Sequence, residues 1–253
     1  MRRVMILSVA LLMAQGAVAG ADEFLDNVRP FMRFFEDAAL AQPGYAEGQF
    51  RYLSGDIDGF IIGAQGAYML MPLFEAGGRV GFASLSNGES ESGLMDPDFY
   101  ARYLVVESPA TKIAVGGLLN LPVGSDKILQ GTFDFEGFGG LRYALPQIVV
   151  LGNFGFRMNG DLEINDVKQA EGKMSILFGG GLIYQVNPQV SILGELAFET
   201  EQYKNGDSLV QLTPGIDFEL ESGLKLRGAL ALGLSDAVPD FVLIAGVAMP
   251  FGG

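Results

Sequence analysis

The side chains able to do chemistry in this 253-residue chain are carboxylates and cationic groups that recur at even spacing. Asp134 and Glu136 form one such pair, Glu195 and Glu199 another. Two carboxylates on one face have the makings of an acid and a base. Their companions are Glu75, Arg79, Arg102, Arg142, Arg157, Lys173, Asp217, Glu219, Lys225 and Arg227. The sequence holds no histidine and no cysteine. That removes Ser-His-Asp and Cys-His nucleophilic chemistry, and leaves no imidazole or thiolate for a transition metal. Nothing in the sequence sets a nucleophile beside either carboxylate pair. The chain is therefore not read as an enzyme, and no cofactor or metal is expected. Asp56-Ile57-Asp58-Gly59 faintly resembles a calcium turn, but an Asp-Gly hairpin turn accounts for it more simply.

The elements that must position these charges are strands. In residues 210–220, Val210, Leu212, Pro214, Ile216, Phe218 and Leu220 alternate with Gln211, Thr213, Gly215, Asp217 and Glu219. Side chains of a strand point to opposite faces with period two, so one face is apolar and the other polar or charged. About a dozen such segments follow one another from Gly48 to Phe251. Short turns at Met71-Pro72, Ser108-Pro109-Ala110, Leu145-Pro146, Asn187-Pro188 and Glu221-Ser222-Gly223 alternate with longer polar stretches. Short turns at one end and long loops at the other characterise outer-membrane β-barrels. The spacing predicts an all-β, antiparallel, up-and-down barrel of twelve strands spanning residues 45–253. Ten is the alternative if the hairpin around Gly55 to Gly59 lies outside the wall.

The N-terminus supports export. Arg2 and Arg3 precede an apolar run, and small residues at Ala17, Ala19 and Ala21 suit a cleavage site, so residues 1–21 read as a signal peptide. Residues 22–44 differ from the rest. Phe24, Val28, Phe31, Phe35 and Ala38 recur at helical spacing, which predicts a short amphipathic helix over residues 31–41, either periplasmic or folded into the barrel as a plug. Net charge is −14, which disfavours nucleic acid. Phe74, Tyr143, Tyr184, Phe198, Tyr203 and Phe251 are candidate interfacial aromatics, although tryptophan is absent.

Glycine-rich hairpins carry a family resemblance. Gly116-Gly117-Leu118-Leu119-Asn120-Leu121-Pro122-Val123-Gly124-Ser125-Asp126, the stretch 179–199 with its Asn187-Pro188 turn, and the final hairpin 228–251 resemble outer-membrane proteins associated with the meta-pathway of phenol degradation. The resemblance spans residues 116–251. It implies an outer-membrane barrel that passes or binds small, often hydrophobic molecules, and it supplies no catalytic residues.

Together these observations predict a lumen lined by Glu75, Arg79, Arg102, Asp134, Glu136, Arg142, Arg157, Lys173, Glu195, Glu199, Asp217, Glu219, Lys225 and Arg227. The expected function is a channel for passive uptake of small molecules, with a non-conducting, salt-bridged structural barrel as the alternative. Expected partners are outer-membrane lipid and lipopolysaccharide, the barrel-assembly machinery and the small-molecule solute.

Overall fold

The computed structural model describes residues 28–41, 43–87, 89–125, 127–128, 133–164 and 167–251; the signal-peptide reading of residues 1–21 lies outside them. The chain folds into β1 (Gly44–Ser54), β2 (Asp58–Met71), β3 (Phe74–Asn87), β4 (Glu89–Leu94), β5 (Asp98–Glu107), β6 (Thr111–Asn120), β7 (Asp134–Ala144), β8 (Ile148–Met158), β9 (Leu162–Ile164), β10 (Val167–Ala170), β11 (Met174–Asn187), β12 (Val190–Glu199), β13 (Leu209–Glu219), β14 (Lys225–Gly233) and β15 (Phe241–Phe251). Each wall strand pairs antiparallel with its sequence neighbours in the wall, and β15 pairs with β1, from Tyr45 opposite Pro250 to Leu53 opposite Val242. The result is a closed barrel of 12 strands. Closure removes every free edge, the condition for β structure in hydrocarbon. The hairpin between β1 and β2 belongs to the wall, which excludes the ten-strand alternative.

Two short additions stand beyond the wall at the long-loop end. β4 folds back on the far half of β3, with Ser84 opposite Ser92 and Ser86 opposite Ser90. The sequence predicted a plain loop there. Polar residues on both parities make this ribbon indifferent to which face meets water, so it pairs without marking its register by hydrophobicity. β9 and β10 form a second small hairpin.

The alternation sets the two faces. Ile62, Leu70, Val80, Phe154, Phe178, Leu182, Leu196 and Leu243 are exposed on the outside. Their strand neighbours Ala67, Leu118, Leu177, Leu193 and Ala231 are buried inside. So continuous an apolar exterior is intelligible only against lipid. Aromatic pairs stiffen it near the strand ends: Phe178 stacks on Phe198 at 4.4 Å between centroids, and Tyr68 on Phe251 at 6.4 Å. Leu196→Arg, in the middle of β12, is expected to cost about 2–4 kcal/mol of stability in bilayers. Reversible urea unfolding in lipid vesicles would measure it; a loss below about 1 kcal/mol would place Leu196 away from hydrocarbon.

Residues 28–41 are not a helix; they run as irregular chain through the barrel interior, with Phe31, Phe34, Ala38, Ala39 and Leu40 all fully buried. A helix of alternating face needs one side buried and one side wet. Inside a lumen every side is buried, so the driving force for an amphipathic helix is absent. Phe31 packs with Val149, Ile183 and Leu193. Phe34 and Phe35 pack with Tyr45, Tyr100, Leu118 and Phe138, and Ala38 and Leu40 with Leu104 and Ala114. These three clusters reach different parts of the wall, which a straight helix face could not do.

Candidate functional site

Strand alternation sends the charged parity of the wall inward, and the interior segment is bound by it. Three guanidiniums do most of the holding. Arg102 Nη1 donates to the Asp37 carbonyl at 2.6 Å and to the Phe34 and Phe35 carbonyls at 3.2 and 3.3 Å. Its Nη2 pairs with Glu75 at 2.5 Å. Arg142 forks onto the Asp37 carboxylate, with Nε–Oδ1 at 2.6 Å, and reaches the Val28 carbonyl at 2.6 Å. Arg227 donates to the Arg29 carbonyl, to Asp217 at 2.9 Å and to Glu47 at 2.7 Å, and its guanidinium lies 4.3 Å from the Phe31 ring centroid.

Carboxylates serve the opposite polarity. Glu195 accepts the amides of Phe31 at 2.6 Å and Met32 at 3.1 Å. Glu75 accepts the Ala41 amide and the Tyr100 hydroxyl, the latter at 2.6 Å. An irregular chain out of water must have its amides and carbonyls bonded, since each orphan costs roughly 1–3 kcal/mol. The wall charges supply that bonding where a helix would have supplied its own.

Two glycines make room. A Cβ on Gly140 would sit 2.2 Å from the Glu36 carbonyl oxygen, and one on Gly215 would sit 2.4 Å from the Phe31 ring. The segment therefore lies against bare wall backbone at both points. Gly140→Val is expected to evict residues 28–41 while β7 keeps its pairing. Protease cleavage within the segment should then become fast in folded, detergent-solubilised protein; unchanged protection would mean that the segment shifts and stays.

Toward the long-loop end, Arg157 pairs with Glu136 at 2.5 Å and with Glu199 at 3.5 Å, and Ser175 Oγ donates to Glu199 at 2.7 Å. Arg79 pairs with Asp98 at 2.5 Å and lies 5.2 Å from the Phe35 ring centroid. Asp134 accepts the Gly160 amide at 2.8 Å. In the loop beyond, the Asp161 carboxyl is held below its usual range by hydrogen bonds from Lys168 and the Gly172 amide.

Of the predicted lining, Glu75, Arg102, Glu136, Arg142, Glu195, Glu199, Asp217, Lys225 and Arg227 are buried inside the barrel. Arg79, Asp134 and Arg157 line its loop-side half and are partly accessible. Lys173 and Glu219 stand apart. Lys173 precedes β11 and pairs with Glu201 on the surface at 2.5 Å. Glu219 ends β13 at the short-turn rim, pairing with Lys225 at 3.2 Å. Exposed pairs such as Lys173–Glu201 contribute only ~0–1 kcal/mol.

Sequence reasoning missed Glu47, Gln49 and Arg51 on β1, Gln65 on β2, and Arg29 and Asp37 in the segment. The β1 residues carried the signal: Glu47, Gln49 and Arg51 alternate with Gly48, Phe50 and Tyr52. Glu47 is a hub that accepts from Tyr45 at 2.8 Å, Gln49 at 2.7 Å, Gln65 at 3.0 Å and Arg227.

Among protein-family models and curated proteins, nothing matches the chain. Solved structures do match. An outer membrane channel from Pseudomonas putida F1 aligns with TM-score 0.64 and 14% identity over 88% of this chain and 100% of that one. The KdgM porin aligns with TM-score 0.59 and 13% identity over 82% and 99%. The transport unit of the autotransporter AIDA-I from Escherichia coli aligns with TM-score 0.58 and 12% identity over 92% and 97%. At these identities the likeness is one of fold. The resemblance of residues 116–251 to the proteins of phenol degradation gains no family match, so the pathway is not carried over. What stands is the coarser relation: this chain is a 12-stranded barrel whose fold is similar to that of outer-membrane channels and porins.

Proposed function

We propose that this chain is an outer-membrane channel for the passive uptake of small molecules, hydrophobic ones among them, whose path is occupied in this conformation by its own residues 28–41. The observation that carries the reading is the independence of wall and filler. The hydrogen-bonded ring of 12 strands closes through β1 and β15 without the segment. The segment is held by side chains, and bare wall glycines lie where it passes. A filler of that kind can leave without opening the barrel. Under this reading residues 1–21 direct export, the barrel-assembly machinery inserts the strands, and the apolar exterior meets lipid and lipopolysaccharide. The lack of histidine and cysteine and the porin-type fold support a non-enzymatic role.

A second reading has its own observation. Arg102 with Glu75, and Arg227 with Asp217 and Glu47, are buried ion pairs of a closed interior, as a purely structural barrel would have. Planar-bilayer recording and liposome swelling with small neutral solutes separate the two. The channel reading expects discrete conductance steps and solute uptake. A folded, heat-modifiable barrel silent in both assays, with and without residues 28–41, would establish the structural reading.

A further inference from the structure

On the long-loop side of the interior segment lies a cavity of about 110 Å³, bounded by β1, β2, β3 and the approach to β5. Gln49, Arg51, Gln65 and Arg79 line it together with the apolar Ile61 and Met95. Its two guanidiniums are not equivalent. Arg79 donates twice to Asp98, at 2.9 and 2.5 Å, and Asn120 donates to the other oxygen of the same carboxylate at 2.9 Å. That charge is neutralised. Arg51 has no carboxylate partner among the described residues; its Nε and Nη2 both donate to the Gln49 amide oxygen, at 3.0 and 2.8 Å. Gln49 in turn donates to Glu47, whose charge is met by Arg227.

Arg51 is thus aimed by a neutral amide and left without an anion in a partly enclosed site. A guanidinium is a planar fork that matches a carboxylate in two hydrogen bonds, and it is stabilised by an anion wherever water is reduced. Asp96 also lines the cavity. Burial pushes its carboxyl above the usual aspartate range, against hydrogen bonds from the Gly124 and Val123 amides, and its Oδ2 has no partner among the described residues. Size adds a limit: an apolar cavity of roughly 150 Å³ takes a benzene ring. A smaller cavity with one open side suits a single ring or a short alkyl chain.

The geometry points to a binding site for a small monocarboxylate with an apolar body, the carboxylate on Arg51 and the body against Ile61 and Met95. Binding there stands by itself. Its use as the entry point of a permeation path rests on the channel reading above.

The test is fluorine NMR of 4-fluorobenzoate with the folded protein in detergent, alongside 4-fluorobenzyl alcohol and empty micelles. Wild-type protein should shift or broaden the 4-fluorobenzoate line saturably, and the alcohol should show micelle partitioning only. Arg51→Gln, checked for heat-modifiable folding, should weaken the response at least about tenfold through loss of a charge-assisted contact. Arg51→Lys should keep part of it, retaining the charge without the fork. Equal binding by Arg51→Gln, or a wild-type response no greater than that of the alcohol, would overturn the site. Saturable, Arg51-dependent binding in a protein silent in conductance and swelling, with and without residues 28–41, would leave the site standing and remove the channel reading.

Discussion

Removing residues 28–41 from the mature chain is expected to raise single-channel conductance several-fold while the barrel stays folded. The segment brings Phe31, Phe34, Phe35 and Leu40 into the interior, and those side chains fill space that water and ions would otherwise occupy. The wall does not depend on it for closure, since β1 and β15 pair along their whole length. Water entering the emptied lumen would take over the bonds that Glu195 now receives from the Phe31 and Met32 amides and that Arg102 now makes to segment carbonyls. The Asp37 carboxylate leaves Arg142 and the Arg29 guanidinium leaves Glu75, and because Arg29 and Arg33 depart together with Glu36 and Asp37 the net charge of the interior is unchanged. Conductance should rise with the net charge of the path unchanged. Planar-bilayer recording of both forms, matched for heat-modifiable folding, measures the rise. Equal conductance would mean that the segment does not occupy the limiting constriction, or that the barrel has no path to uncover.

Replacing Arg227 with methionine is expected to destabilise the barrel by about 3–5 kcal/mol, because removing one partner of a buried ion network strands the others. Asp217 and Glu47 would keep their charges with no guanidinium between them, and the Arg29 carbonyl would lose its donor. The loss should appear in equilibrium unfolding by urea in lipid vesicles. Adding Asp217→Asn and Glu47→Gln to Arg227→Met should recover most of it, since buried ion networks replaced as a unit are often near neutral. A single-variant loss under about 1 kcal/mol would show that water already reaches this network. The same variant frees the backbone at Arg29 and removes the cation over Phe31, so it should also loosen the N-terminal end of the segment. Arg227→Met is thus expected to give both effects, whereas Gly140→Val gives eviction alone.

The loop-side additions were hidden from sequence reasoning, and the interior segment was offered only as one of two placements and in the wrong local form. The β3–β4 ribbon carries serine on one parity and mixed residues on the other, so no solvent contrast marks it as a strand. Residues 28–41 do carry a pattern, but the helical spacing of Val28, Phe31, Phe35 and Ala38 reports only that apolar residues recur. Spacing does not reveal whether one side of the chain will be buried or all of it.

The wall itself was legible. Each strand lies between lipid and interior, two solvents on opposite sides, so period-two alternation carries nearly everything needed: strand number, the face each side chain takes, and the inward charge. Arg142 could be placed in the lumen from Leu141 and Tyr143 beside it. Its partner could not. Asp37 lies 105 residues away, and Arg227 reaches the Arg29 carbonyl across 198 residues. Those pairings exist only once the ring has closed and brought opposite walls within reach of one chain threaded between them. Local periodicity records which solvent a residue faces, so it determined the barrel and its polar interior. Which charges meet, and that residues 28–41 fill the space, was decided by closure, because a closed lumen has one limited volume for all inward groups to share.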